Sequence, residues 1–525
     1  MTLLLNFEPL NMTKYLLSLI LWACFCLGAA AQPEQAVAFT DKDCYLAGER
    51  LQVSVRTLTP DAQPLDLSRV AYVELSDTAR LCAQTMVALN EGAGWASMPL
   101  PATLHSGNYM LTVYTRNMRN YGQQCFFRKI VSVVNTLRLS DRDNLLILPD
   151  GELPEATTPA AHYTPGKTVR VSLPADSAMT VQTLSVVRWD IPTADYSLPA
   201  PQRPTVSTGQ FLPEVEGHLV TTRPTEDREV ATTRLVLIGK GAALFDGQAQ
   251  KDGSWLYYTN QVFGALPTLL NAYDKDGQPV GIQFEAPYAQ VLPASLPALQ
   301  VWSSEENLRS RSLGAQYENM LSLQTRGDTI LHSANFFSIA PEYYYDLDEY
   351  TRFNTVKEAL NEFVRGVRRR TVKGTHQLYT YNSEEDSYAS WPSLVLLDGM
   401  PVHDVDEILA YDARLIKYIQ VYSGSYTFGN TICQGVLSFI SHRGRLSNFK
   451  LDGGSHLVTY NFPQERPSFM LPEGGQTSTV LWDPSVGSRL LDFPAPQERG
   501  SYQVILQGLD AKGTPFRSVS ELVVD

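Results

Sequence analysis

The chain has 525 residues, too many for one hydrophobic core, so several domains of ordinary size are expected. Its formal net charge of −13 argues against nucleic acid as a partner, because binding to phosphates needs a basic face. Charged residues make up only 18% of the chain, while Tyr (26) and Pro (32) are plentiful. This composition favours short strands and rigid connections over long disordered tails.

The N-terminus predicts export. Residues 15–27 are apolar, Lys14 precedes them, and three alanines end at Ala31, a pattern typical of a cleaved signal peptide over residues 1–31. An alternative interpretation takes Leu21 to Cys24 as a lipoprotein box, which would attach a lipid to Cys24. Both interpretations place the mature chain in the periplasm, at the outer membrane or at the cell surface, without a membrane-spanning segment.

Four cysteines would remain after cleavage at Ala31. An oxidising compartment would permit one disulfide, either Cys82–Cys125 or Cys44–Cys125, and buried free thiols are the alternative. Cys433 has no partner nearby in the sequence.

Residues 32–136 predict a β-sandwich, because apolar residues alternate from Leu51 to Val55 and from Tyr109 to Tyr114 and turns punctuate the segment. Two local patterns recur far along the chain: Tyr45-Leu-Ala-Gly as Tyr163-Thr-Pro-Gly, and Gly107-Asn-Tyr as Gly500-Ser-Tyr. The recurrence predicts a shorter sandwich over 137–212 and a last one over 449–525.

The recurring patterns resemble the repeats of macroglobulin-type, immunoglobulin-like β-sandwiches. The resemblance implies several such domains in tandem, and hence a mainly β protein. It does not imply the covalent trapping of proteases, because Cys433-Gln434 lacks the residues that flank the macroglobulin thioester.

Residues 213–300 predict a third β region. A strand begins at Arg234, and Asp252-Gly253 and Asp276-Gly277 are turns; the first of these resembles a step of the carboxypeptidase-regulatory-like sandwiches. Residues 301–340 predict a helical connector. Its apolar residues near helical spacing are Leu308, Leu313, Tyr317, Met320 and Leu321.

The segment 341–448 mixes strands and helices. Leu394–Leu397 reads as a buried strand closed by Asp398-Gly399, and further strands are predicted at 416–422 and 436–440. A short helix over 405–409 could be capped by Asp404 or Asp406. A capping box of Thr355 and Glu358 predicts an earlier helix with one apolar face, formed by Val356, Leu360, Phe363 and Val367.

This segment resembles the plug domain of TonB-dependent outer-membrane receptors. The residues that carry the resemblance are Asp398, Gly399, Pro401, Gly429, Gly435 and Gly444. The resemblance implies an α+β domain, a small mixed sheet flanked by helices. Only 81 residues follow Gly444, too few for the barrel of such a receptor, so a plug-like fold without a pore is expected. The whole order of parts is similar to that of exported multidomain proteins of Bacteroidota-type envelopes.

Two clusters in this segment are candidates for partner binding. The first is an aromatic run with acidic neighbours, which contains Tyr343, Tyr344, Tyr345 and Tyr350. Its alternative role is packing beneath the helix. The second is a basic cluster, suited to an acidic lipid or a carboxylate-rich partner, whose alternative role is a solvated helix end. Its members are Arg365, Arg368, Arg369, Arg370 and Lys373.

No motif predicts catalysis, a metal or a cofactor. The eight histidines have no zinc-binding spacing, and Asp404 and Asp406 suit a helix cap better than a calcium site. We therefore expect a non-catalytic envelope protein that binds an outer-membrane barrel, or a transport, secretion or assembly complex, through the plug-like domain. The alternatives are a periplasmic or surface module that binds peptide or glycan, and an enzyme with an unrecognised site.

Overall fold

A computed structural model describes residues 33–137, 145–148, 161–172, 179–188, 191–238, 243–325, 340–402, 404–429, 431–442, 455–465, 477–486 and 490–525. The protein is mainly β, as predicted. The predicted signal peptide, Cys24 and Gly444 lie outside the described residues. Among the helices that the structure describes, none combines the length and the apolarity needed to cross a bilayer.

The first sandwich packs a three-stranded sheet on a five-stranded sheet. The smaller sheet has the order β1 (Gln35–Thr40), β3 (Arg50–Leu58), β6 (Ala93–Pro99). The larger has the order β2 (Cys44–Leu46), β8 (Phe127–Val134), β7 (Gly107–Thr115), β4 (Val70–Ser76), β5 (Leu81–Ala88). Leu51, Val53 and Val55 of β3 are fully buried, so the predicted alternation does mark a core strand.

The second sandwich combines two parts of the chain that were predicted as separate domains. Its larger sheet has the order β10 (Ala161–Tyr163), β33 (Pro515–Val524), β32 (Gly500–Leu509), β12 (Thr180–Arg188), β30 (Thr479–Asp483). Its smaller sheet pairs β11 (Thr168–Ser172) with β31 (Leu490–Pro494). The division into sandwiches at 137–212 and 449–525 is therefore wrong. The early segment contributes too few strands to close a core alone.

The third sandwich also borrows a late strand. One sheet has the order β16 (Gln248–Ala249), β17 (Trp255–Thr259), β13 (His218–Pro224), β19 (Ile282–Phe284). The other has the order β15 (Ala243–Asp246), β14 (Thr232–Leu237), β18 (Ala265–Tyr273), β29 (His456–Asn461). The predicted domain 213–300 lacks β29, which extends the sheet on the far side of β18.

A long helix, α1 (Glu305–Thr325), follows a parallel pair of short strands, β9 (Leu145–Leu148) and β20 (Leu299–Trp302). The predicted apolar stripe forms the packed face only in part: Leu308 packs on a buried apolar cluster that includes Leu46 and Val301, whereas Leu313 and Met320 are 56% and 49% exposed. The helix packs on the first sandwich through Arg311, whose Nε donates to Oε1 of Glu49 at 3.0 Å in a buried ion pair. A buried ion pair thus adds to the apolar contact that the sequence predicted for this helix.

Residues 340–442 form a mixed α+β unit, which we call the mixed-sheet module. Its main sheet has the order β21 (Tyr343–Asp346), β27 (Ile416–Phe428), β28 (Thr431–Ser441), β25 (Leu394–Leu397), β26 (Met400–Pro401). A second sheet has the order β22 (Val367–Val372), β23 (Thr375–Asn382), β24 (Ser387–Tyr388). The helices are α2 (Val356–Glu362) and α3 (Val405–Ala410).

The local predictions in the mixed-sheet module mostly hold. β25 has the predicted bounds and runs parallel to β28, Asp404 caps α3, and Thr355 and Glu358 form the predicted capping box. One prediction is wrong: α2 ends at Glu362, so Val367 lies in a strand and not on the helix face. Gly366, with φ +74°, is in a backbone conformation that favours glycine and ends the helical path.

No disulfide forms among the described cysteines, so of the two alternatives the free thiols hold: Cys44 and Cys125 are buried and Cys82 is half-buried. The thiol of Cys82 donates to the Asp77 carboxylate at 3.4 Å, and that of Cys125 donates to the carbonyl of Tyr121 at 3.5 Å. Each of these two thiols is therefore engaged locally, within its own turn.

Candidate partner-binding surface

The predicted tyrosine and arginine clusters lie on two adjoining edge strands of the mixed-sheet module, β21 and β22. The strands meet at Gly366. The backbone N–H of Arg365 donates to the Tyr345 hydroxyl at 2.8 Å, and a Cβ at Gly366 would lie 2.7 Å from the ring of Tyr343. The two clusters are therefore parts of one region, which the sequence alone did not indicate.

The tyrosines divide between core and surface, following the two-residue period of a strand. Tyr345 is buried and Tyr343 half-buried, and both pack in the core that contains α2. Tyr344, on the other face, is 48% exposed, and its ring centroid lies 5.3 Å from that of Tyr418. Tyr350 follows the strand and stacks on Phe363 with 4.4 Å between ring centroids. Tyr344 is therefore the member of β21 that a partner can reach.

The phenol of Tyr344 stays protonated near neutral pH. Burial, together with a hydrogen bond to Tyr418, raises the pKa of Tyr344 to about 12. A neutral hydroxyl can both donate and accept a hydrogen bond, which suits a polar contact at an interface.

The basic cluster lies on a strand and its flanking turns. Arg368, Arg369 and Arg370 belong to β22, Arg365 precedes it, and Lys373 is in the tight turn to β23 with φ +50°. The explanation that these cations end a helix and complement its dipole is therefore wrong. The alternation of β22 separates them instead: Arg368 and Arg370 are exposed, whereas Arg369 is half-buried.

Arg368 and Arg370 share one face of the second sheet of the mixed-sheet module with three tyrosines. Arg368 is opposite Tyr379 in the register, and Tyr381 is opposite Tyr388. The guanidinium of Arg368 lies 5.5 Å from the ring centroid of Tyr388, and that of Arg370 lies 5.0 Å from the centroid of Tyr379. We call this surface the basic-aromatic face; it consists of Arg368, Arg370, Tyr379, Tyr381 and Tyr388.

One exposed aromatic side chain, that of Trp391, lies close to this face in the sequence. Trp391 follows β24 by three residues and is 60% exposed, although its backbone N–H is held by the side chain of Gln434 at 3.1 Å. The sequence patterns did not indicate Tyr379, Tyr381, Tyr388 or Trp391 as candidates. The spacings Arg368-x-Arg370 and Tyr379-x-Tyr381 have the two-residue period of β-strands. The assignment of Val367 to a helix concealed this period.

The residues that carry the plug resemblance are structural. The buried carboxylate of Asp398 accepts hydrogen bonds from the backbone N–H and the hydroxyl of Ser441, both at 2.7 Å. Asp398 and Gly399, with φ +50° and +80°, form the tight turn between β25 and β26. Pro401 belongs to β26. At Gly435 a Cβ would lie 1.7 Å from Oγ1 of Thr380, so this glycine allows β28 to approach β23.

The third sandwich covers one face of the main sheet of the mixed-sheet module. The apolar contact joins Leu396, Tyr422 and Val436 to side chains of β14, β15 and β18. At Gly429 a Cβ would lie 2.0 Å from the carbonyl oxygen of Leu244, and Thr431 donates to Asp246 at 2.9 Å. The mixed-sheet module is therefore fixed on a sandwich. Tyr344 and the Arg368, Arg370 and Tyr388 side chains of the basic-aromatic face remain exposed, whereas Tyr379 is buried beneath them and Tyr381 is half-buried.

A buried polar cluster in the sandwiches has the composition of a catalytic site but not its accessibility. The carboxylate of Glu214 lies 2.8 Å from Nδ1 of His218 and 2.9 Å from the hydroxyl of Tyr72, and Nε2 of His218 lies 2.9 Å from the hydroxyl of Tyr460. The side chains of Glu214 and His218 are 0% exposed, so a substrate cannot reach them. Among the residues that the structure describes, no group of three or more His, Cys, Asp or Glu side chains could hold a metal ion.

Comparisons with models of protein families and with curated proteins give no match. Among solved structures, the chain is similar to E. coli alpha-2-macroglobulin in its native conformation (10% identity, 95% of this chain, 22% of that chain, TM-score 0.17). It is also similar to Salmonella alpha-2-macroglobulin reacted with methylamine (11% identity, 94% and 23%, TM-score 0.17). A third neighbour is dimeric latent PorU from Porphyromonas gingivalis (7% identity, 94% and 34%, TM-score 0.17). The chain thus spans 22–34% of the length of these proteins, and similarity at this level carries no argument about function.

Proposed function

We propose that the protein is a non-catalytic component of the cell envelope whose mixed-sheet module binds a partner protein. We further propose that the partner is an outer-membrane barrel, or a transport, secretion or assembly complex that contains one. The observation that carries the proposal is the basic-aromatic face, whose Arg368, Arg370 and Tyr388 side chains are exposed. The resemblance of residues 391–444 to receptor plug domains suggests the class of partner, by analogy.

The composition of the basic-aromatic face suits a protein partner. Tyrosine and arginine are the residue types most enriched at the energetic centres of interfaces. The contacts of Arg368 with Tyr388 and of Arg370 with Tyr379 restrain the two guanidinium groups before binding. Less side-chain entropy is then lost when a partner docks.

The position of the mixed-sheet module favours docking on this side. The third sandwich already occupies the opposite face of the main sheet, through Leu396, Tyr422 and Val436. A partner would therefore meet the side that contains β22, β23 and β24. This arrangement differs from that of a free domain, which could present either face.

The proposed location rests on the signal-peptide prediction. Mass spectrometry of the mature N-terminus separates the two interpretations: a chain that begins at Gln32 indicates simple cleavage, whereas a lipid on Cys24 indicates an anchored protein. A chain that retains residues 1–31 would contradict the export prediction.

The binding proposal is tested by affinity capture. The purified protein is immobilised, incubated with detergent-solubilised outer membranes of cells that express it, and the retained proteins are identified by mass spectrometry. We expect an outer-membrane barrel protein to be retained by the wild type and lost from the double variant R368E/R370E, because charge reversal changes attraction into repulsion.

The matched control is K251E/K275E, which changes the net charge equally at exposed positions of the third sandwich. It should retain the barrel protein like the wild type. Recovery of no barrel protein by the wild type would overturn the proposed partner. Equal recovery by R368E/R370E would overturn the role of the basic-aromatic face.

A further inference from the structure

A groove of about 940 Å³ lies between the first and second sandwiches, far along the chain from the mixed-sheet module. Its walls come from β1 and β8 of the first sandwich, from residues 191–203, and from β33 of the second. This volume is at the upper end of the range for ligand pockets, about 300–1,000 Å³. The groove is large enough for a short stretch of polypeptide.

One wall of the groove is a proline-rich strap, residues 191–203, that is held in place at several points. The backbone N–H of Gln300 donates to the hydroxyl of Tyr196 at 2.7 Å, and this hydroxyl donates to the carbonyl of Ala298 at 3.0 Å. Further along, the N–H of Gln202 donates to the carbonyl of Gln124 at 2.9 Å. Because the strap is anchored on both sides, the groove is preformed and does not depend on a ligand.

The lining of the groove is basic, in contrast to the net charge of −13 of the whole chain. The carboxylate of Asp43 is already paired, with Lys129 at 2.7 Å and with Arg517 at 3.0 Å. These charges lower the pKa of Asp43 even though burial by itself would raise it. The ionic side chains of the lining are Asp43, Asp195, Arg128, Lys129, Arg203, Lys512 and Arg517.

The groove therefore has an excess of positive charge. Arg203 and Lys512 are exposed and make no salt bridge within the described residues. Arg128 also lines the groove, and its Nη2 donates to the carbonyl of Gln123 at 3.1 Å. An anionic group in the groove could form charge-assisted hydrogen bonds with Arg203 and Lys512.

A strand edge borders the same groove. β33 pairs with β32 from Pro515 to Val524, but with β10 only from Leu522 to Val524. Residues 516–520 are exposed or half-exposed, and in the described part of the chain no strand pairs with their second edge. Such an edge offers backbone donors and acceptors that only another polypeptide backbone matches along its length.

We infer that this groove binds an acidic segment of another protein in extended conformation, which adds as a strand to β33 and places its carboxylates near Arg128, Arg203 and Lys512. The charge of the lining selects an anionic ligand, and the strand edge favours a peptide over a glycan or a lipid headgroup. The inference does not rest on the proposed function, because the groove and the basic-aromatic face belong to different parts of the protein.

The test uses a fluorescein-labelled nonapeptide of alternating Glu and Val as the probe, with fluorescence anisotropy on the full chain. We expect saturable binding that weakens with added salt and that is lost with a matched peptide in which Gln replaces Glu. The double variant R203E/K512E should bind the probe roughly tenfold more weakly than the wild type. The variant K251E/K275E, which has the same change in net charge at exposed positions of the third sandwich, should bind it normally.

A second arm tests strand addition. Two further peptides are N-methylated at alternate residues, one at the odd positions and one at the even positions. Each lacks the N–H donors along one edge of the extended probe. We expect one of the two registers to lose binding, since only one edge of the probe faces β33. Equal binding of all three peptides, equal affinity of R203E/K512E and the wild type, or tighter competition by an anionic glycan than by the peptide would each overturn the inference. Failure of this test would leave the capture experiment on the basic-aromatic face unaffected.

Discussion

Buried carboxylates fix the local structure of this protein at several points. Glu74 accepts hydrogen bonds from the backbone N–H groups of Ala289 and Val291, at 2.9 and 3.0 Å, and so anchors the segment that leads to β20. Asp398 does the same for the end of β28. A buried carboxylate is stable in such sites because several donors replace the water that it loses.

We predict that Asp398→Ala destabilises the mixed-sheet module by about 2–4 kcal/mol, because it leaves two donors of Ser441 buried without a partner and places Ala at positive φ. Thermal unfolding and hydrogen exchange of the β25 and β28 amides measure the effect. Asp386→Ala is the matched control, since Asp386 is exposed and also has φ +50°. It should cost about 1 kcal/mol, and equal effects of the two substitutions would contradict our account of Asp398.

At the scale of elements, close approach of strands depends on particular glycines. β28 packs against β23 at Gly435, and the hairpin of β27 and β28 packs against β15 at Gly429. Both residues belong to the pattern that the sequence analysis singled out. Their role is therefore steric, and they keep the two sheets and the third sandwich in contact.

Gly435→Ala should destabilise this arrangement by about 3 kcal/mol or more, through positive φ and through a Cβ that would clash with Thr380. Gly424→Ala is the control in the same hairpin: its φ is +87°, but a Cβ there would meet no atom within 4 Å. We expect it to cost about 1 kcal/mol. Hydrogen exchange of the β23 amides and the midpoint of thermal unfolding compare the two variants. Equal destabilisation by both substitutions would show that the contact with Thr380 contributes nothing to the cost at Gly435.

At the scale of the whole molecule, a buried ionic cluster joins three parts of the chain. Lys42 of the first sandwich donates to the hydroxyl of Ser478 in the second at 2.6 Å and lies 3.4 Å from the Glu49 carboxylate. Glu49 in turn binds Arg311 of α1. Removal of one partner from such a cluster leaves a buried charge uncompensated, which makes the cluster sensitive to pH.

The pH dependence follows from Glu49. Burial raises the pKa of Glu49, but the charges of Arg311 and Lys42 outweigh burial and lower it from 4.5 to about 2. The folded-state pKa lies below the unfolded value, so Glu49 contributes stability above about pH 4.5, and this contribution is lost as the pH falls toward 2. Its size is about 3 kcal/mol.

We therefore predict that the wild type loses stability between about pH 5 and 3 more steeply than the double variant E49Q/R311M, which lacks the pair. The midpoint of thermal unfolding, measured across this range, gives both slopes. The control D492N/R170M removes an exposed ion pair instead and should follow the wild type. Parallel slopes for the wild type and E49Q/R311M would contradict the role assigned to Glu49.

Local features of the fold were predictable from the sequence. The strand Leu394–Leu397, the Asp398-Gly399 turn and the capping box at Thr355 each depend on a few neighbouring residues, whose φ and ψ preferences and hydrogen bonds are set within the segment. Of the candidate surface, the sequence indicated Tyr344, Arg368 and Arg370. It did not indicate Tyr379 or Tyr388, because the face they share exists only once β22, β23 and β24 pair.

The tertiary structure alone decided which strands share a sheet and which charges share a cavity. Ser185 is opposite Trp482 in the second sandwich, and Leu269 is opposite Leu457 in the third. The local sequence of a strand specifies its period and its apolar face but leaves its partner open, since many strands could pair with equal backbone hydrogen bonds. The partner is selected by side-chain packing and buried polar contacts between residues hundreds of positions apart, and these arise only when the whole chain has folded.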